Sequence, residues 1–282
     1  MSVRVVHSAK ELRELLQIQK KSGQTVGFVP TMGALHAGHA RLIENARIEC
    51  GIVVVSIFVN PLQFAPNEDF TRYPRNAEQD FEISSNSGAD LVFLPSTEEM
   101  YPAPQLTFVE VTRVGDYLCG ASRPGHFRGV ATIVLKLFNI VQPDRAYFGE
   151  KDAQQLAVIK RMVRDMNLPI TIVEVQTVRE SDGLAMSSRN RYLKPAERKA
   201  APALYRALEA AAKLAKSGER DARKIRDAGL VLLRAELSIR VDYFEVVDNE
   251  EMQPLQVVQP PFRIAGAIWI GTTRLIDNVL VS

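Results

Sequence analysis

The run IVVVSIFV at residues 52–59 is almost entirely β-branched or aromatic and carries no polar alternation. Branched side chains favour extended backbone. The missing alternation means that neither face of the strand meets water, which is the condition of a parallel sheet covered by helices on both sides. The rest of the N-terminal half agrees. Residues 25–30 (TVGFVP), 90–94 (DLVFL), 144–148 (DRAYF) and 170–175 read as further short strands. Between them, helical patterns fall at 9–20, 39–49, 78–87, 130–140 and 153–166. The first of these has Ser8 as its cap and leucines 12, 15 and 16 on one face. Strand–helix alternation of this kind predicts an α/β domain with a doubly wound parallel sheet. Ligands of such sheets bind beyond the carboxyl ends of the strands.

The composition shifts near residue 176. Residues 196–237 are rich in Ala, Leu, Arg and Glu, with a break at Ser217–Gly218, and predict a pair of helices. Residues 241–247 and 263–281 predict a few antiparallel strands. The reading is therefore a first domain over 1–176 and a second, smaller α+β C-terminal domain over 177–282. The 282 residues are 46% hydrophobic and 24% charged, an ordinary folded composition. A net charge of +2 gives no electrostatic case for a nucleic-acid or membrane partner. Cys50 and Cys119 form no CxxC pair and no metal-ligand spacing. The opening MSVRVVHSAKELRELL has no apolar signal-peptide core, and no window reaches the length of a membrane helix. A cytoplasmic location is the expectation.

Chemistry concentrates in segments that follow strand ends. Residues 30–39, PTMGALHAGH, lie between a strand and a helix. Gly33 and Gly38 permit a tight turn and close approach to a ligand. The start of the next helix offers backbone N–H groups to a phosphate. His36 and His39 fall on one helical face there, where imidazoles can stabilise charge during phosphoryl or adenylyl transfer. Taken alone, a pair of histidines three apart is more often structural; the strand–Gly–His–Gly–His–helix context reverses that weighting. In VNPLQF at 59–64, Asn60 and Gln63 offer amides suited to hydroxyl and carboxyl groups. In FGEKDAQQ at 148–155, Gly149 ends a strand, Asp152 caps a helix, Lys151 is a point cation for phosphate, and Gln155 reaches towards a second substrate. In ESDGLAMSSRNR at 180–191, Ser187 and Ser188 supply hydroxyls and Arg189 a planar fork for phosphate oxygens. This polar loop could close over a nucleotide. RPGHFR at 123–128 suits a carboxylate or pyrophosphate, with a purely structural loop as the competing reading. Neither a GxxxxGK[ST] phosphate loop nor GxGxxG is present.

HxGH after the first strand of an α/β domain resembles the signature of nucleotidyltransferases and class I aminoacyl-tRNA synthetases. The motifs PTMGALHAGH, SIFVNPLQF, TRYPR, ASRPGHFRGV, YFGEKDAQQL, DGLAMSSRNRYL and TTRLIDN, in this order and spacing, resemble the pantothenate synthetase family over nearly the whole chain. The resemblance implies a Rossmann-like first domain, a smaller C-terminal lid and a homodimer. It implies a ligase of coenzyme A biosynthesis that joins pantoate to β-alanine through a pantoyl-adenylate. ATP is the co-substrate, Mg²⁺ the expected ion, and AMP and pyrophosphate are the products. Residue by residue it implies an ATP segment at Met32, Gly33, Ala34, Leu35, His36, Ala37, Gly38 and His39. His39 stands in the position of the proton donor, and His36 assists at the phosphates. Gly149, Glu150, Lys151 and Asp152 resemble the second ATP segment. Val178, Met186, Ser187, Ser188 and Arg189 resemble the remaining contacts. Lys151, Ser187 and Arg189 join the histidines as catalytic candidates. Gln63 and Gln155 resemble the amides that hold pantoate, with Gln63 also near β-alanine, and Asn60 and Arg123 join them as candidate substrate contacts. Mg²⁺ is expected to bridge phosphates with few protein ligands, so no metal ligand is assigned.

Leu62, where relatives commonly carry Met, is a near volume-conserving change. Ala153, where an aromatic is common, removes packing beside Lys151 but no polar group. The rival enzyme reading is a nucleotidyltransferase that keeps the nucleotide on its product. The paired amides and the SSR segment favour the ligase. A short chain of balanced charge argues against a tRNA synthetase, and turnover would separate the ligase from a non-enzymatic nucleotide-binding module.

Overall fold

The computed structural model describes residues 3–66 and 68–282. In chain order its elements are β1 (Arg4–Val6), α1 (Ala9–Lys21), β2 (Val26–Thr31), α2 (Ala37–Glu49), β3 (Ile52–Ile57), α3 (Ala77–Asn86), β4 (Leu91–Phe93), α4 (Thr97–Met100), α5 (Cys119–Ser122), α6 (His126–Val141), β5 (Arg145–Gly149), α7 (Ala153–Asp165), β6 (Thr171–Val175), α8 (Pro195–Ala200), α9 (Ala203–Lys216), α10 (Ala222–Arg234), β7 (Ile239–Asp248), β8 (Phe262–Ile270) and β9 (Thr273–Val281). The chain divides into two compact units. One comprises Met1–Val111, Arg123–Gly149 and Val158–Gln176; the other Thr112–Ser122, Glu150–Ala157 and Thr177–Ser282.

The first unit is built on a six-stranded sheet in the order β1-β4-β3-β2-β5-β6, with every pairing parallel. This is the doubly wound α/β fold expected from the apolar runs. Strand alternation sorts the core into two faces. Val29, Val53, Val55, Ile57 and Tyr147 pack with Leu42, Ile43 and Ala46 of α2. On the other face Phe28 and Phe148 each meet Phe138 of α6 edge-on, at centroid distances of 6.4 Å. The strand order reverses between β2 and β5, because the chain winds outward through β3 and β4 and later returns to the far side of β2. A crevice therefore opens at the carboxyl ends of those two strands. The HxGH segment leaves β2 there, and Gly149 ends β5 there.

The second unit carries the antiparallel meander β7-β8-β9, with Leu204, Leu208, Ile225 and Leu233 of α9 and α10 buried in one core with Phe244, Ile264 and Ile268. Three local features differ from the sequence reading. β1 is too short to show a pattern, yet it pairs with β4 at the sheet edge. The helical stretch expected from 196 is broken into α8 and α9, because Pro202 has no N–H to continue the ladder. α6 begins at His126, four residues before the apolar run at 130, with Gly125 in the left-handed region at its cap.

Candidate active site

The loop after β2 is held open by one carboxylate. Asp80, on α3 and 2% exposed, accepts the backbone N–H groups of Ala34 at 2.9 Å and Leu35 at 2.7 Å. Ala34 itself lies at φ +52°, and Gly33 at φ +82°. A side chain on Gly33 would sit 2.9 Å from the Asp80 carboxylate and 3.0 Å from Ile57. The glycine is thus required twice, by conformation and by space. Thr31 completes the turn, donating to the Ser56 carbonyl at 2.8 Å and accepting from the Gly33 N–H at 3.1 Å.

This turn delivers His36 to the cap of α2. Its Nδ1 accepts the Gly38 N–H at 3.1 Å. In the neutral ring the proton is then on Nε2, leaving that nitrogen as a donor. The His36 and His39 rings lie 4.2 Å apart. Two imidazoles thus stand together at a helix N-terminus, where the backbone field favours an anion. Met32 precedes them, half-buried, and Ala37 is exposed at the first helical position.

The amide segment follows β3, and only one of its two candidates is available to a ligand. Asn60 is 1% exposed. Its Nδ2 donates to Gln63 Oε1 (3.3 Å) and to the Gly129 carbonyl (3.2 Å), and its Oδ1 accepts from Leu62 N (3.3 Å) and the Tyr101 hydroxyl (2.8 Å). A primary amide has two donors and two acceptor sites, so Asn60 is saturated by the protein. One of those bonds orients Gln63. Gln63 spends one N–H on Met32 Sδ at 2.7 Å and retains a second. Gly129 permits this arrangement: a Cβ there would lie 2.2 Å from the Leu62 carbonyl oxygen.

The RPGHFR segment is also turned inward. Arg123 grips Glu68 with Nε at 2.5 Å and Nη2 at 2.8 Å, and its Nη1 meets His126 Nε2 at 3.0 Å. His126 Nδ1 donates to the Gln63 carbonyl at 2.8 Å. Since guanidinium only donates and carbonyl only accepts, His126 is the neutral Nδ1–H tautomer. Burial pushes the Glu68 carboxyl up, but the hydrogen bond and charge of Arg123 bring it net below the ordinary value. Arg123 is thereby engaged with Glu68 and, through His126, with the backbone of Gln63.

In the second unit, Glu150, Lys151 and Asp152 form one 3-10 turn. Lys151 is about one-fifth exposed, with Asp152 3.6 Å away. Of the two adjacent glutamines, Gln154 is buried: its Oε1 accepts Cys119 N (3.0 Å), and its Nε2 donates to the Val114 and Tyr117 carbonyls (2.9 and 2.7 Å). Gln155 is half-buried and points elsewhere on the helix. The polar segment after residue 178 is braced as a hairpin. Met186 N bonds Val178 O and Glu180 N bonds Leu184 O, at 3.0 and 2.9 Å. Arg198 clasps Asp182 at 2.6 Å and Glu180 at 2.9 Å. Ser187 then caps a 3-10 turn through the Arg189 N–H, with Ser188 buried.

Sequence reasoning missed Asp80, Tyr101, Glu68, Arg179, Asp277 and Asn278. Arg179 lies beside a segment already singled out, and Asp277 and Asn278 lie in the TTRLIDN motif. Asp80 and Tyr101 carry no local signal.

The chain matches the family described as "Pantoate-beta-alanine ligase" over residues 4–280. It is 53% identical to a pantothenate synthetase of Caldicellulosiruptor saccharolyticus, over 98% of this chain and 99% of that one. It is 51% identical to the pantothenate synthetase of Thermotoga neapolitana, covering 99% and 100%. A crystal structure of pantothenate synthetase from Thermus thermophilus superposes with a TM-score of 0.94 at 50% identity, covering 99% of each chain. That of the Francisella tularensis pantoate–β-alanine ligase, complexed with β,γ-ATP and β-alanine, does so at 0.82 and 35%, covering 99% and 98%. This chain belongs to the pantoate–β-alanine ligase family.

Proposed function

We infer that the chain condenses pantoate with β-alanine at the expense of ATP, through a pantoyl-adenylate, releasing AMP and pyrophosphate. The observation that carries the site assignment is the His36–His39 pair at the N-terminus of α2, placed where the strand order reverses. A carboxylate resists attack by an amine because its leaving group would be oxide. Transfer of the adenylyl group to the pantoate carboxylate oxygen, with loss of pyrophosphate, supplies a good leaving group. The amine nitrogen of β-alanine then attacks the carbonyl carbon, AMP departs, and the ammonium proton is lost to solvent or to a neighbouring base.

Each residue has a role that its surroundings support. His36, whose Nδ1 accepts the Gly38 N–H, donates from Nε2 to phosphate oxygen, and His39 serves as the second donor. Gln63, oriented by the saturated Asn60, uses its remaining N–H for pantoate, and Gln155 is its partner amide. Lys151 and Arg189 neutralise the charge that grows on the leaving pyrophosphate, and the Ser187 hydroxyl donates a hydrogen bond to it. Val178, Met186 and Ser188 complete the nucleotide contacts, with Met32–His39 and Gly149–Asp152 as the other ATP segments. Among the described residues no three His, Cys, Asp or Glu side chains gather to hold a metal ion. Mg²⁺, when bound, would be carried by the phosphates of ATP and would neutralise their charge.

A homodimer is proposed, since Ile48 and Leu106 are apolar side chains left 82% and 89% exposed in the first unit. A cytoplasmic place is proposed from the metabolic role; among the described residues no helix is long and apolar enough to cross a membrane. The test is pantoate-dependent exchange of labelled pyrophosphate into ATP, followed by AMP release on adding β-alanine. His39→Ala and Lys151→Ala should lose exchange while keeping the wild-type melting temperature. Absence of both exchange and AMP formation in folded wild-type protein would refute the reading.

A further inference from the structure

β9 contributes two adjacent side chains that nothing in the reaction explains. Asn278 is 6% exposed. Its Nδ2 donates to two backbone carbonyls, those of Glu150 at 2.9 Å and Lys151 at 3.0 Å. Its Oδ1 accepts from Arg263 Nη1 at 2.7 Å, and Arg263, 4% exposed, is itself fixed to Asn249 at 2.8 Å. The amide cannot be turned over, because its NH₂ would then face a guanidinium donor. Both its N–H groups are thereby committed to the turn that presents Lys151.

The neighbouring Asp277 forms a two-point pair with Arg179, at 2.6 and 3.0 Å. Arg179 lies 3.9 Å over the Tyr205 ring and donates to the Gly183 carbonyl at 3.0 Å and to the Asn278 carbonyl at 3.4 Å. It sits in the hairpin that leads to Ser187–Arg189. Two segments far apart in sequence, one bearing Lys151 and the other Ser187 and Arg189, are thus tied to consecutive residues of a single strand.

We propose that Asn278 is a positioning residue for ATP binding and adenylation, which sets Lys151 by holding the carbonyls of Glu150 and Lys151, while Asp277 sets the Ser187–Arg189 segment through Arg179. The proposal rests on the nucleotide role inferred for Lys151. Backbone held at two consecutive carbonyls resists drift, and a misplacement of about 1 Å at such a group costs on the order of 100-fold in rate.

The variant Asn278→Asp keeps the shape and the Arg263 contact but turns oxygen lone pairs towards two carbonyl oxygens. Asn278→Ala removes the amide without that repulsion. Each is combined with Lys151→Ala, and ATP affinity is measured by calorimetry with Mg²⁺ present, alongside melting temperature and steady-state kinetics. The expected result is ATP affinity weakened about tenfold or more in folded Asn278→Asp, the size that second-layer contacts reach elsewhere. KM for ATP should rise and kcat fall with KM for β-alanine unmoved, and Asn278→Asp should add little to Lys151→Ala. If Lys151→Ala weakens ATP and the Asn278 variants do not, or if the two effects multiply, the inference is overturned and the nucleotide role of Lys151 stands. If Lys151→Ala leaves ATP affinity untouched, the nucleotide role of Lys151 fails first and the inference with it. Failure of both Asn278 variants to fold would make the residue purely structural and would also overturn the proposal.

Discussion

Replacing Asp80 by asparagine tests whether the histidine loop is made by its own sequence or by a side chain 46 positions away from Ala34. The carboxylate accepts Ala34 N–H at 2.9 Å and Leu35 N–H at 2.7 Å, both in buried surroundings. Asparagine keeps one acceptor and sets an NH₂ group against the other donor. One hydrogen bond to a charged group is lost and one buried N–H is stranded, at a cost of about 2 kcal/mol. Ala34 shifts in response, because its left-handed backbone, strained by roughly 1–2 kcal/mol, is held there by these bonds, and its relaxation offsets part of that cost. A net loss of no more than about 2 kcal/mol is within what a domain of ordinary stability survives, so the folded variant can be assayed. His36 lies only two residues beyond Ala34, and its ring is aimed by the same turn. Urea unfolding should show the stability loss with an unchanged slope. Pantoate-dependent pyrophosphate exchange should fall about 100-fold under conditions where the variant is fully folded. An Asp80→Asn protein that unfolds at the wild-type urea midpoint and exchanges at the wild-type rate would refute the reasoning. A protein that loses stability but keeps its rate would confine Asp80 to folding.

Tyr101→Phe removes one of the four bonds that saturate Asn60 while leaving Leu62 N–H on the same oxygen. A loss of about 1 kcal/mol is expected, read as a roughly five-fold rise in KM for pantoate with KM for ATP unchanged; equal changes in both constants would argue against a link through Gln63. Acid should weaken both units through paired carboxylates. For Glu68 and Asp242, burial raises the carboxyl, but the hydrogen bonds and charges of Arg123 and Arg274 respectively (with Ser122 also on Asp242) bring each net below its ordinary value. A depressed folded-state value means that the unfolded chain binds the proton first. Their stabilisation is therefore complete above the ordinary values of 4.5 and 3.8 and is lost as pH falls through the lower folded ones. Urea midpoints should fall steadily below about pH 4.5, and replacing Glu68 by Gln should flatten that slope; an unchanged slope in Glu68→Gln would remove the pair from the account.

What the sequence disclosed and what it concealed divide along one physical line. Apolar runs report burial on both faces, so β2, β3 and β5 were readable within a residue or two, whereas the strand order that places the crevice was not. Glycines at turns and polar groups after strand ends report local chemistry, which is what singled out the HxGH, Lys151 and SSR segments as candidates. The partners of those groups were not. Asn278 reaches Lys151 across 127 positions, and Asp80 is one acidic residue in an ordinary helical pattern. Burial alone distinguishes such residues from solvated ones, and burial of a polar side chain leaves no periodic trace.

The two glutamines at 154 and 155 carry the same point further. They are identical in chemistry and adjacent in sequence, so composition and motif treat them alike. The helix sends them in different directions. Gln154 is 5% exposed and spends its amide on the Cys119 N–H and the carbonyls of Val114 and Tyr117. A structural load of that kind fixes the first turn of α7, and so fixes where its half-buried neighbour Gln155 points. Asn60 stands in the same relation to Gln63, and Asn278 to Lys151. In each case an amide committed to the protein's own groups holds a polar neighbour to which the proposed function assigns a ligand. The residue types that a motif preserves at such sites are then of two kinds, those that bind and those that aim. Counting their donors and acceptors in the folded chain is what separates them.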